Sequence, residues 1–178
     1  MCDFITLIVP SADADALRRV MEVHGRAAEP IDNTSVRRVL REGEHQYVTT
    51  RGHCDCGTVL GGRGAPKGGP EARMARQRAR WRQKGWSDAK IARASEDQRR
   101  ADARPRGGGA DSIELWNAVL ADLGKELGLP YAGLFVRCYS GAISTEMFDA
   151  TRREVGKNVS RLEALGSMED DEVTIFPL

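Results

Sequence analysis

No apolar run in this sequence is long enough to cross a bilayer. The strongest, residues 4–9, is a few residues long and is bounded by Asp3 and Pro10, which suits a strand. A basic stretch followed by an apolar core and a small-residue cleavage site is also missing. The expectation is therefore a cytoplasmic protein with no membrane partner. In that reducing compartment its four cysteines are thiols, metal ligands or catalytic groups rather than disulfides. Charge of one sign is lacking overall, since the chain sums to +1, so no global attraction to nucleic acid or a membrane surface follows.

Familiar catalytic signatures are missing as well. The glycine- and proline-rich residues 61–70 lack the G-K-[ST] ending of a phosphate loop, and no G-x-G-x-x-G follows a strand. Neither H-E-x-x-H nor G-x-S-x-G occurs, and the H-x-E with P-C-x-x-C pair of zinc deaminases is absent. Internal repeats are not seen.

What the chain does hold is an uneven distribution of charge. Residues 63–106 carry 14 Lys and Arg against 5 Asp and Glu, a net +9, which leaves −8 on the remainder. Within this basic stretch residues 71–84 and 88–103 read as two helices parted by Gly85 and Trp86, with Ser87 placed to cap the second. The pattern predicts an inserted basic helical hairpin over residues 61–110, between two halves of one domain at 1–60 and 111–178.

The flanking halves read as follows. Residues 4–9 are apolar on both faces, as in a central, doubly covered strand. Ser11 or Asp13 caps a helix through Val23 with Leu17, Val20 and Met21 on one face. A loop holds Pro30 and Asp32-Asn33, a short helix spans 36–40, a strand 44–50, and a further short strand 58–60. Asp111 and Glu114 form a capping box for a core helix to Leu127. Strands are expected at 132–139, 142–148 and 173–176, with a weaker helix at 157–165. The order predicts an α+β fold, a mostly antiparallel four- to five-stranded sheet covered by two helices.

The densest chemistry lies in Arg51-Gly52-His53-Cys54-Asp55-Cys56-Gly57. A structural zinc site asks for four tetrahedral ligands, usually from two short pairs. Here the one pair is C-x-C, and a full set needs Cys2 with either Cys138 or His53. That is feasible if strand 4–9 lies beside strand 132–139. The bland reading makes Cys138 a small core residue. In a thiolate enzyme Cys54 is the catalytic group, but neighbours in an extended segment point apart, so His53 is poorly placed as its base. His24 and His45 could approach only through the fold. Cys2 would be an N-terminal nucleophile if Met1 were removed.

In the basic stretch Arg73, Arg76, Arg80 and Lys84 share a helical face, with Trp81 and Trp86 among them. Arginine pairs with phosphates and indole stacks on bases, which points to nucleic acid. An acidic protein partner suits the modest total charge better. The leading expectation is a small cytosolic protein-binding domain, concretely an inhibitor of the immunity or antitoxin kind. A zinc- or thiolate-dependent enzyme centred on Cys54 and Cys56 comes second, and a nucleic-acid-binding module third.

Overall fold

A computed structural model describes residues 2–61, 74–75, 78–79, 81–82, 85–103 and 111–178. The chain divides into two compact units, residues 1–64 with 109–178, and residues 65–108. The fold is α+β, with a mixed six-stranded sheet and five helices among the described residues. None of those helices is long and apolar enough to cross a membrane.

In the first unit β1 (Cys2–Val9), β2 (Glu29–Ile31), β3 (His45–Val48), β4 (Tyr131–Tyr139), β5 (Thr151–Glu154) and β6 (Glu172–Pro177) pair in the order β2-β3-β1-β4-β6-β5. All pairs are antiparallel except β5 with β6. β1 is central, as its two-sided apolar pattern requires. Ile5, Leu7 and Val9 join one buried cluster, and Ile8 with Phe4 joins the other.

The first face is covered by helices. α1 (Ala14–Val23) is capped by Asp13, whose side chain accepts from Ala16 N–H at 2.9 Å, and it buries Leu17, Val20 and Met21. α4 (Ile113–Leu127) buries Trp116, Val119, Leu120 and Leu123, and ends where Gly128 adopts a left-handed φ of 63°. α5 (Arg161–Gly166) adds Ala164 and Leu165. The opposite face is covered by α2 (Thr34–Arg37), whose Val36 is buried there, and by the irregular residues 141–150.

Several local expectations are corrected. The loop around Pro30 contains edge strand β2, where a residue without an N–H is tolerated. Residues 142–148 form no strand; Asn33 Nδ2 holds them by donating to the Ile143 and Glu146 carbonyls at 2.6 and 3.0 Å. The strand lies further on, at β5. Residues 58–60 are turn rather than strand. The cap of α4 is Ser112, accepting from Leu115 N–H, and not Asp111. The sheet accordingly has more strands, and the body more covering elements, than four or five strands and two helices.

The second unit is described through α3 (Asp88–Ala103) and the residues before it. Ser87 Oγ accepts from Lys90 N–H at 3.4 Å, and Arg78 Nε donates to Ser95 Oγ at 3.1 Å. Gly85 turns the chain at φ 74°. Arg73, Arg76, Arg80 and Lys84 lie outside the described residues, as does most of the helix expected at 71–84.

Candidate metal centre

The site grows from a deficit in the sheet. β3 accompanies β1 only as far as the Thr6–Val48 pair, and Thr49 N–H closes the ladder on the Ile5 carbonyl at 2.9 Å. Beyond that point the first residues of β1 need other partners for their backbone groups. The segment after Thr49 swings away and returns to supply them. Asp55 Oδ2 accepts from Ile5 N–H at 2.9 Å, Asp55 N–H donates to the Asp3 carbonyl at 2.8 Å, and Cys56 Sγ accepts from Asp3 N–H at 3.1 Å.

Asp55 is the pivot of this docking. Only 2% of it is exposed, and Arg26 Nη2 donates to Oδ1 at 2.6 Å while Thr50 Oγ1 donates to Oδ2. The Arg26 guanidinium is itself buried, 4.7 Å from the centroid of the Trp116 ring. Trp116 Nε1 in turn donates to Asp111, whose other carboxylate oxygen accepts from Val59 N–H, each at 2.8 Å. Gly61 passes so close that an added Cβ would stand 2.3 Å from the Asp55 carbonyl oxygen, so no larger residue fits.

Asp55 turns inward, and Cys54 and Cys56 flank it at the turn that Thr58 N–H closes on the Asp55 carbonyl at 3.0 Å. The Sγ atoms of Cys2, Cys54 and Cys56 lie within 4.8 Å of one another, all three residues half-buried. Burial pushes the Cys56 thiol up; the Asp3 N–H opposes this, while Cys54 and the Asp3 charge reinforce it.

Cys138 and His53 stand outside the trio. The register pairs Cys138 with Asp3 and Cys2 with Tyr139, so alternation puts Cys138 on Asp3's side of the sheet. Burial pushes the Cys138 thiol up to about 12, helped by the charge and hydrogen bond of the Asp3 carboxylate. His53 is exposed. Of the other histidines, His24 Nε2 is 2.9 Å from Asp122, and His45 pairs with Val9 at the far end of β1 from Cys2. A further carboxyl, Asp170, is raised to about 6 by burial and by the charges of Asp171 and Asp3. In the basic unit Trp81 and Trp86 stack on each other with centroids 5.3 Å apart, and the Lys90 ammonium lies 4.2 Å from the Trp86 centroid.

Chemically, three converging sulfurs are a seat for a thiophilic ion. A nucleophilic thiol needs its pKa depressed, and Cys56 is shifted the other way. A separate cleft of about 230 Å³ is lined by Val155, Lys157, Val159, Arg161, Phe176 and Pro177. Sequence reasoning missed Arg26 and Asp55. The one available signal was the middle residue of C-x-C, an acid set between its two cysteines. No family model matches the chain, and neither a curated protein nor a solved structure matches it.

Proposed function

We propose that this protein binds a thiophilic metal ion, zinc being the ordinary candidate, through Cys2, Cys54 and Cys56. The observation that carries this reading is the mutual approach of the three sulfurs within 4.8 Å. The ion would tie the start of β1 to the loop carrying Cys54 and Cys56, reinforcing the join that Asp55 and Arg26 make from inside. Three protein ligands leave one tetrahedral position for an outside donor.

Cadmium titration of the reduced protein tests this. Thiolate-to-metal absorbance should saturate at one ion per chain and be lost in Cys54→Ser. Saturation well below that, or an unchanged signal in the triple serine variant, overturns the reading.

A second reading rests on the net +9 of residues 63–106: the basic stretch docks an acidic protein, as an inhibitor of the immunity kind would. Reversing the charges of Arg73, Arg76 and Arg80 should abolish that association, and unchanged affinity for the partner removes it.

A further inference from the structure

Resting on the thiophilic reading above, we infer that the seat formed by Cys2, Cys54 and Cys56 suits a trivalent, three-coordinate centre, arsenic(III) or its antimony analogue. Two features of the site lead there.

The first is ligand number. Among the described residues no fourth cysteine, histidine or carboxylate joins the three sulfurs within the 4.8 Å radius. The remaining thiol, Cys138, stands opposite Asp3 in the register and outside the trio, and His53 is exposed. Zinc left with three sulfurs must recruit an outside donor to complete its tetrahedron. Arsenic(III) needs none, because its lone pair occupies the fourth direction and three sulfurs complete its pyramid.

The second feature is charge. Three thiolates around a divalent ion leave a net −1, and around a monovalent ion −2. That charge would sit on three converging, half-buried side chains. Anionic groups crowded at such a place repel one another across a medium less polarisable than water. A tris-thiolate of arsenic(III) is neutral.

The step balances without any redox partner. Arsenous acid, As(OH)₃, exchanges its three hydroxyls for three cysteine sulfurs. Three As–O and three S–H bonds break, three As–S and three O–H bonds form, and three waters leave. Arsenic stays trivalent and sulfur stays at the thiol level throughout.

The experiment adds arsenite to the reduced protein and reads native mass and arsenic X-ray absorption. The expected product carries one arsenic in place of three hydrogens, with three sulfurs and no oxygen around it. Because the absorption arm uses the unaltered chain, it does not depend on any variant folding. Retention against competing glutathione should fall about a hundredfold or more in Cys2→Ser, Cys54→Ser or Cys56→Ser, since each removes one intramolecular ring closure. Cys138→Ser should retain arsenic as the natural chain does. An arsenic bound by two sulfurs and one oxygen, or full retention by the triple serine variant, overturns the inference. Cadmium uptake without arsenite uptake overturns it while leaving the thiophilic reading intact, and failure of both ions removes both.

Discussion

The two faces of the sheet are closed by different means. On one, three helices lay regularly spaced aliphatic and indole side chains over Ile5, Leu7 and Val9, and the buried ion pair Arg26–Asp55 fastens the cysteine loop beneath Trp116. On the other, one short helix and an irregular segment cover Ile8, Phe135 and Val173, and arginines complete the closure. Arg152 grips the buried Glu44 with both terminal nitrogens at 2.8 and 2.9 Å. Arg137 lies 3.7 Å from the centroid of Phe148 and bonds to Glu146 and Asp171. Where regular elements are present the apolar effect organises the surface. Where they are missing, directional charge-assisted bonds fix an irregular backbone.

The largest expected effect is on the helical face. Asp55→Ala leaves the buried Arg26 cation without its acid and strips Ile5 N–H of its acceptor, a cost of about 3–5 kcal/mol in urea unfolding. A loss near zero would show that the loop is not held by this pair. Glu44→Ala on the opposite face should cost less, about 2–3 kcal/mol, because Arg152 keeps its contact with Glu154. A larger loss than that of Asp55→Ala would reverse the contrast between the faces.

Glu146 gives a pH-dependent version of the same test. Burial opposes its ionisation, but the Gly141 and Ser140 N–H groups, Arg137 and the Ser140 hydroxyl outweigh it and hold the carboxyl down at about 2. Because the folded value is depressed, its stabilisation is present above the ordinary carboxylate range and is lost as pH falls through 4.5 to about 2. Glu146→Gln should cost on the order of 1–2 kcal/mol at pH 7 and flatten that acid limb of the stability curve. An unchanged limb would mean that residues 141–150 are fastened elsewhere. The smallest effect belongs to Val23→Ser: Val23 is 80% exposed at the end of α1, and the change should stay within about 0.5 kcal/mol.

The contrast also sets what could be read from the residues alone. Leu17, Val20 and Met21, and Trp116, Leu120 and Leu123, follow the helical period because they face one continuous apolar layer, so α1 and α4 were legible. β2 and β5 were not: Glu-Pro-Ile and Thr-Arg-Arg-Glu are edge strands whose partners, not their alternation, make them strands. Ile143 and Phe148 have the apolar character of strand residues yet cover the core from irregular backbone. At the candidate site, the adjacency of β1 and β4 stood in the sequence only as a condition for a shared ligand set, and it is present. It did not deliver Cys138 to the trio, because a one-residue difference in register chooses the face. What gathers the sulfurs is a carboxylate standing in for a missing strand, a side-chain-to-backbone pairing that leaves no periodic trace.

The bond from Val59 N–H to Asp111 has a consequence for the covalent path. Residues 59 and 111 stand together at one doorstep of the first unit, joined by that bond at 2.8 Å. In polymer terms, a tether of about five residues across the doorstep would lower the loop-closure cost in the unfolded chain by roughly 2 kcal/mol relative to the natural stretch. Both ladders of β1, with β3 before the gap and with β4 after it, should then keep their alignment whatever polypeptide is spliced between them.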